Sequence, residues 1–224
     1  MTEWSSGNTA LVKTVLCKLH AHYGSQYWWP AQDLLEMMVG AILTQATSWS
    51  NASAAIIRLK KAQALHVDIL DRLSDHKLAL LIQPAGFQYA KAQAIKALVR
   101  RITDDYRGRV DSFLSIDASS LREQLLSIRG IGEETADDIL LYAANAPIFV
   151  IDNYTRTLLF RLGVITNHMP YAKLQSLIHR SLHSDVKSYK EYHALIVEHG
   201  KRVCRKTPLC DRCCIADLCR KIGT

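Results

Sequence analysis

Cysteine carries the most recognisable chemistry in this sequence, because its distribution is so uneven. Five of the six cysteines stand near the C-terminus, and four of them follow the pattern Cys-x5-Cys-x2-Cys-x5-Cys: Cys204, Cys210, Cys213 and Cys219. Four thiolates at this spacing suit either a [4Fe–4S] cluster or a tetrahedral Zn²⁺ ion. Such crowding indicates one metal site in a reducing compartment, since a disulfide framework would be spread along the chain. Cys214 adjoins Cys213 and could take its place.

A second group of residues could hold a phosphate. Gly130-Ile131-Gly132 joins two helical patterns through a tight turn, and Thr135 follows in the second helix. Two glycines allow a sharp turn and a close approach of the backbone, and the free N–H groups at the start of the next helix can bind a phosphate oxygen. Ile131 is expected to anchor the turn in the core. The same residues also suit an ordinary αα-hairpin with a C-cap glycine, so the motif alone leaves both interpretations open.

The elements that must position these groups are helices. Apolar residues recur with the 3.6-residue period along most of the chain, and strand-like alternation is nearly absent. The pattern predicts an all-α protein of about ten helices: 9–23, 31–45, 51–62, 75–82, 90–106, 119–127, 133–144, 153–162, 171–182 and 189–203. Cys17 lies in the first of these helices and is expected to be a core residue.

Composition and charge narrow the class of partner. The chain has 224 residues, of which 49% are hydrophobic and 22% charged, and its formal net charge is +7. A basic excess favours a polyanionic partner, because binding phosphates releases their counterions. No segment approaches the roughly 20 apolar residues of a membrane span, and the first residues lack the basic and apolar regions of a secretory signal. We therefore expect a cytoplasmic monomer, nucleoid-associated in a prokaryote, that does not contact a membrane.

Taken in order, the motifs resemble those of the helix-hairpin-helix (HhH-GPD) superfamily of DNA glycosylases, which includes endonuclease III. The likeness runs over about residues 27–219. It joins the 130–132 hairpin to two upstream stretches, 41–47 (Ala-Ile-Leu-Thr-Gln-Ala-Thr) and 86–92 (Gly-Phe-Gln-Tyr-Ala-Lys-Ala), and to a Phe-Val-Ile-Asp stretch that ends at Asp152. The order and number of these motifs make the resemblance specific.

The resemblance implies a role for each motif in binding DNA. In the family, the glutamine of the first stretch fills the gap left by an extruded base, and the loop of the second stretch wedges into the duplex. The hairpin holds the DNA backbone. The residues assigned to DNA binding in this way are Gln45, Phe87, Gln88, Gly130, Ile131, Gly132 and Thr135.

The same resemblance bears on the cysteines and on the fold. In the family a [4Fe–4S] cluster follows a His-Gly pair, which is matched here by His199 and Gly200, although the first gap between cysteines is one residue shorter in this chain. Cys213 rather than Cys214 keeps the family's spacing.

The implied fold is all-α and two-lobed, with a six-helix barrel over 26–147 that carries the hairpin. The second helical lobe, 1–25 with 148–224, holds the cluster in its C-terminal loop through Cys204, Cys210, Cys213 and Cys219.

Asp152 is the residue on which the implied reaction depends. Removal of a base breaks an N-glycosidic bond through an oxocarbenium-like state, which a nearby carboxylate stabilises while it orients water. An aspartate before a predicted helix is also a favoured N-cap, and the two roles are compatible. Bifunctional members of the superfamily carry a lysine nucleophile two residues after the second hairpin glycine, where this chain has Glu134. Without that amine no Schiff base forms, which predicts a monofunctional glycosylase.

Tryptophans suggest which base is removed. Electron-poor alkylated purines stack well on the indoles of Trp28, Trp29 and Trp49, although tryptophans also fill small cores. With the other motifs they resemble the 3-methyladenine DNA glycosylase branch, where aromatic residues at these positions line the base pocket and a lysine after His-Gly, here Lys201, lies close to it. The implied partner is double-stranded DNA with an alkylated purine, such as 3-methyladenine or 7-methylguanine. A glycosylase for mismatched or oxidised bases, a bifunctional glycosylase/lyase and a non-catalytic binder of DNA structures remain alternatives.

Overall fold

Helices account for the regular secondary structure in the residues that the computed structural model describes, which are 5–166, 168–182 and 185–224. Residues 1–4, which belong to the stretch predicted to lack a secretory signal, lie outside them. In chain order the α-helices are α1 (Ser6–Tyr23), α2 (Leu34–Leu43), α3 (Trp49–Lys61), α4 (Val67–Arg72), α5 (Asp75–Ile82), α6 (Gln88–Tyr106), α7 (Val110–Leu114), α8 (Ala118–Ser127), α9 (Glu133–Asp138), α10 (Asn153–Arg161), α11 (Tyr171–Ser181) and α12 (Val186–Arg202). Short 3₁₀ turns cover Gln83–Ala85 and Cys210–Arg212, and α9 continues into a π-helical turn, Ile139–Ala143. The predicted all-α class is confirmed.

Helix starts are fixed by short polar side chains that cap free N–H groups of the first turn. The capping side chains that accept a hydrogen bond from the backbone N–H three residues on belong to Ser5, Asp33, Ser48, Ser74, Asp117, Asp152 and Asp185. Each such cap stabilises its helix by about 1 kcal/mol. They also explain differences from the predicted bounds, since α2 begins after its cap Asp33 rather than at residue 31.

The chain divides into two units. The terminal unit comprises the residues up to Trp28 together with Pro147–Thr224, and the central unit comprises Trp29–Ala146. The sequence prediction drew this division at residues 26 and 147 and counted six helices in the central part. The described central unit contains α2 to α9, because α4 and α7 add two helices of six and five residues that are too short to show a period.

Each unit has its own apolar core. In the central unit α6 packs against α2, α4, α5 and α7, and fully buried side chains include Met38, Ile42, Leu59, Leu78 and Ile95. In the terminal unit α1 and α10 both pack against α12, around Leu19, Phe149 and Tyr189. None of the described helices combines the length and the apolar character of a membrane-spanning helix.

The prediction that Cys17 is a core residue was wrong, since its side chain is exposed. The buried stripe of α1 consists of Val12, Val15, Leu16 and Leu19. Cys17 stands two residues after Val15, which turns its side chain about 200° around the helix and away from that stripe.

Candidate active site and DNA-binding residues

Asp152 is buried at the start of α10, in the terminal unit. Its residue is only 8% exposed. Its Oδ1 accepts a hydrogen bond of 2.7 Å from the backbone N–H of Thr155, and its Oδ2 lies 3.6 Å from Nε2 of His193. One carboxylate oxygen therefore caps the helix while the other faces a histidine, so the predicted N-cap role is present.

The segment that leads into Asp152 is held by one face of α11. Tyr171, Gln175 and His179 recur every four residues along that helix. The backbone N–H of Ile151 donates to Tyr171 Oη (3.2 Å), the N–H of Phe149 donates to His179 Nε2 (2.9 Å), and Gln175 Nε2 donates to the carbonyl of Phe149 (2.8 Å). These contacts fix the backbone from which the carboxylate projects.

The surroundings of Asp152 favour its ionised form. Burial works to raise the pKa of the carboxyl group, but the interaction with His193 and the hydrogen bond from the Thr155 N–H outweigh it, so that the pKa of Asp152 lies below its ordinary value. The partial positive charge at the N-terminus of α10 acts in the same direction. The group is a carboxylate at neutral pH and can stabilise a developing positive charge.

His193 is a functional candidate that the sequence prediction missed. It lies on α12, buried, with its ring centroid 5.6 Å from that of Trp28. The signal that could have found it is spacing: it precedes Gly200 by seven residues, two helical turns, and so shares a face of α12 with that glycine.

Gly200 allows α12 to lie close to the start of α10. A Cβ atom at this position would overlap the ring of Tyr154, which stands two residues after Asp152. His199, beside it, is buried and links α1 to the cysteines: its Nδ1 is 3.0 Å from Tyr23 Oη and its Nε2 is 3.7 Å from Cys213 Sγ. Burial, and then the charge of His22, lower the pKa of His199 to about 4, so its ring is neutral.

The four cysteines of the predicted cluster line one cavity in the terminal unit. Arg161 and Ile215 are among the other residues of its wall, whereas Cys214 interacts with Lys18 and Asp217. Two donors point at the sulfurs: Arg161 Nη1 lies 3.2 Å from Cys204 Sγ, and the backbone N of Lys221 lies 3.4 Å from Cys219 Sγ. The cavity thus offers four thiols, with donors able to stabilise negative charge on sulfur.

Within the described residues, no group of three or more His, Cys, Asp or Glu side chains is arranged to hold a metal ion.

The predicted base-pocket residues form two aromatic groups, one in each unit. In the terminal unit, Lys201 Nζ lies 5.2 Å from the centre of the Trp28 ring, and burial lowers the pKa of this lysine. In the central unit, the ring of Trp29 lies 5.5 Å from that of Trp49, edge to face, and 5.4 Å from that of Tyr142. Tyr142, in the π-helical turn, was not predicted.

The hairpin of the central unit is anchored in the core by Ile131 and is exposed at Gly132. Gly130 adopts φ +94°, and a Cβ there would lie 3.0 Å from Cβ of Ala94. Ile131 is buried, as expected, and its N–H donates to the carbonyl of Ile128 (3.0 Å). Gly132 is exposed and nothing lies within 4 Å of the place where its Cβ would stand. The turn therefore presents bare backbone at Gly132.

Gln45 is brought together with this hairpin. Its Nε2 donates to the carbonyl of Gly130 (3.0 Å) and to Oγ1 of the buried Thr135 (2.7 Å). The predicted wedge residue Phe87 is 70% exposed and adopts a left-handed backbone conformation with φ +46°. Gln88 is the half-buried first residue of α6.

Comparison with known proteins gives the class of this protein. Residues 39–183 match the HhH-GPD superfamily of base excision DNA repair proteins. A protein of Methanocaldococcus jannaschii that is assigned as a DNA repair glycosylase is 45% identical over 200 residues, which make up 88% of this chain and 90% of that protein. The chain belongs to the HhH-GPD superfamily and is a DNA N-glycosylase of base excision repair.

Solved structures confirm the predicted helix-hairpin-helix glycosylase fold. A 3-methyladenine DNA glycosylase of H. pylori, bound to 1,N6-ethenoadenine, superposes with a TM-score of 0.74 at 26% identity, covering 87% of this chain and 97% of that one. An endonuclease III trapped as a covalent intermediate with DNA gives a TM-score of 0.82 at 17% identity, covering 95% of this chain and 96% of that one. Both are proteins to which this chain is similar. The predicted partner, DNA, follows from the enzyme class.

Proposed function

We propose that the chain is a monofunctional DNA glycosylase that hydrolyses the N-glycosidic bond of alkylated purines, such as 3-methyladenine or 7-methylguanine, in double-stranded DNA. The observation that carries the proposal is a pair of residues: a buried, ionised carboxylate at Asp152, and a carboxylic side chain rather than an amine at Glu134. Hydrolysis needs a charged carboxylate, which Asp152 supplies. Strand cleavage needs an amine nucleophile, and position 134 does not offer one.

In the proposed reaction Asp152 stabilises the positive charge that develops on the sugar. The bond between C1′ and the base nitrogen breaks, and an alkylated, cationic base departs as a neutral molecule with the bonding electrons. A water oxygen then bonds to C1′ and its proton leaves through Asp152 to solvent. His193 keeps the carboxylate charged before the base is lost, because it faces Oδ2 at 3.6 Å.

The absence of an amine at position 134 supports hydrolysis without strand cleavage. A lyase step requires an amine that attacks C1′ and forms a Schiff base. In the central unit the buried Lys91 is fully engaged with three backbone carbonyls, and in the terminal unit Lys201 lies over Trp28. This chain is proposed to differ here from the endonuclease III that was trapped covalently with DNA.

Aromatic side chains support the choice of base. Trp28, Trp29 and Trp49, with Lys201, are proposed to contact the damaged base, since a methylated purine carries a delocalised positive charge that indoles attract. The similarity to a 3-methyladenine DNA glycosylase bound to an alkylated adenine derivative points the same way. The residues proposed to bind the DNA itself are Gln45, Phe87, Gln88, Gly130, Ile131, Gly132 and Thr135.

We propose that the cysteine cavity holds a [4Fe–4S] cluster. The four thiols line one cavity, and the Arg161 guanidinium and the Lys221 N–H donate toward two of the sulfurs, as suits thiolates that carry charge. Cys204, Cys210, Cys213 and Cys219 are the proposed ligands. When bound, the cluster would cross-link a segment with little regular structure, and it takes no part in the proposed reaction.

A panel of duplexes tests the proposal. Purified protein is incubated with DNA that carries 3-methyladenine, 7-methylguanine, 8-oxoguanine, or a mismatched thymine or adenine. We expect free base from the methylated duplexes only, strands that stay intact until alkali is added, and a monomer by size-exclusion chromatography. Release from the oxidised or mismatched duplexes alone would overturn the substrate class, and strand breaks without alkali would overturn the monofunctional mechanism.

A further inference from the structure

Lys91, on α6 of the central unit, is buried in an unusual environment for a lysine. It is only 3% exposed, and its Nζ donates to the carbonyls of Leu43 (2.9 Å), Gln45 (2.7 Å) and Ala85 (2.7 Å). An ammonium group has three N–H donors. All three are therefore used on backbone carbonyls that belong to two separate segments of the chain.

The first segment is the end of α2 and the residues that follow it. The last carbonyls of a helix have no partner within it and carry partial negative charge. Lys91 satisfies the carbonyl of Leu43, the last residue of α2, and that of Gln45. The side chain of Gln45 then reaches the hairpin, at Gly130 and Thr135.

The second segment is the loop that presents Phe87. Ala85 ends a 3₁₀ turn and is followed by Gly86 at φ +68° and Phe87 at φ +46°. A left-handed conformation is disfavoured for a residue with a Cβ, and it persists only where the surroundings hold it. The ammonium of Lys91 holds this loop by the carbonyl of Ala85 (2.7 Å), next to Gly86, while its backbone N–H closes the first turn of α6 on the carbonyl of Phe87 (3.0 Å).

We propose that Lys91 is a positioning residue for base extrusion, which fixes the Gln45 segment and the Phe87 loop relative to each other before DNA is bound. The proposal rests on the proposed function, in which both residues enter the duplex beside the damaged base. The Gln45 segment and the Phe87 loop must act together when the duplex is opened. Holding both in place beforehand raises the rate of this step, because less conformational entropy is lost in reaching it.

The chain supplies a matched control on the same helix. Lys96 is 5% exposed, and its Nζ donates to three carbonyls as well, those of Leu70, Asp71 and Leu73. These carbonyls lie at the end of α4. The two lysines thus share burial, donor count and helix, but only Lys91 contacts the segments that carry Gln45 and Phe87.

The test compares Lys91→Met with Lys96→Met. Urea unfolding is measured first, and both variants are expected to lose stability to a similar extent. At a temperature where both are folded, the single-turnover rate of base release should fall roughly 10- to 100-fold for Lys91→Met, the scale of losing alignment by about an ångström, and less than about twofold for Lys96→Met. An equal loss in both variants, or no loss in Lys91→Met, would overturn the proposal.

A second readout keeps the positioning role separate from the proposed chemistry. Fluorescence of 2-aminopurine beside an abasic-site analogue reports opening of the duplex without any bond being broken. Lys91→Met should lower this signal at saturating protein while Lys96→Met retains it, even if the wild type released no base and the proposed function failed. If Lys91→Met does not fold, Lys91→Arg keeps the charge but not the three-carbonyl geometry; a wild-type fluorescence signal in that variant contradicts the proposal.

Discussion

The hairpin of the central unit and the cysteine segment of the terminal unit (Cys204–Cys219) are both short motifs, yet they are organised in different ways. The hairpin is fixed by the chain itself: Ile131 is buried, its N–H closes the turn on Ile128, and Gln45 donates to the carbonyl of Gly130. In the cysteine segment the described regular structure is one 3₁₀ turn of three residues, and the thiols face a shared cavity. The first motif is therefore held by contacts within the chain, whereas the second has little regular structure of its own.

The largest expected effect comes from removing a thiol. Cys204→Ser, Cys210→Ser, Cys213→Ser and Cys219→Ser should each abolish the yellow-brown colour and the iron, which should be about four per chain in the wild type. Because metal binding is coupled to local folding, these variants should also lose several kcal/mol of unfolding free energy. Absorbance, iron analysis and thermal unfolding measure this.

Cys214→Ser is the matched control for the thiol variants. Cys214 lies beside Cys213 in the chain but interacts with Lys18 and Asp217, so this variant should keep colour, iron and stability. A protein that holds one zinc and no iron, or a Cys214→Ser variant that loses its colour, would refute the cluster assignment.

A smaller, selective effect is expected at the hairpin. Gly132→Val adds a side chain into open space at an extended backbone, so the fold should be unaffected while the approach of a phosphate is blocked. Affinity for duplex with an abasic analogue should fall about tenfold, the scale of losing a charge-assisted hydrogen bond. Fluorescence anisotropy on several sequences checks this, since a backbone contact is independent of sequence.

Gly130→Val is the comparison variant at the other glycine of the hairpin. Gly130 has φ +94° and Ala94 lies against it, so this variant should lose stability as well as affinity. Unchanged DNA binding in Gly132→Val would mean that the hairpin is a structural turn only.

The smallest expected effect concerns the pH dependence at Asp152. Lys201 and Tyr154 also interact with this carboxylate. Burial works to raise its pKa, and His193 acts with the N–H of Thr155 to lower it. A depressed carboxyl pKa contributes stability above the unfolded value of about 3.9, and this stability is lost as the pH falls through the folded pKa. In His193→Gln the pKa of Asp152 should rise, so the acid limb of base release should move to higher pH.

The control for His193→Gln is His20→Gln, at an exposed histidine of the same unit that pairs with Glu191. Rate–pH profiles of base release should coincide for His20→Gln and the wild type. A profile that is also unchanged in His193→Gln would show that His193 does not act on the carboxylate.

Features set by local sequence were predictable. The helices show their 3.6-residue period, and Asp152 combines a helix-cap position with a family motif, so both fold class and candidate catalyst could be read from the chain. The two short helices α4 and α7 could not, because five or six residues hold too little periodicity.

Features set by tertiary contacts were not predictable. His193 meets Asp152 across 41 positions of sequence, and Lys91 meets the carbonyls of Leu43 and Gln45 at separations of 48 and 46. In the sequence alone Lys91 is one lysine on an amphipathic helix, where an exposed position is the ordinary expectation. For Cys17 the error is the opposite one. Cysteine is commonly buried, but this residue lies outside the buried stripe of α1 and is exposed.

The central claim is that Asp152 drives hydrolysis without a covalent intermediate, and Asp152→Asn tests it most directly. The substitution keeps the shape of the side chain and a cap for the Thr155 N–H but removes the charge. Single-turnover base release from methylated duplex should fall by roughly two to three orders of magnitude, the scale of losing one preorganised charge, while DNA binding is retained. Borohydride should trap no protein–DNA adduct with the wild type. Full activity in Asp152→Asn, or a trapped adduct, would contradict the account.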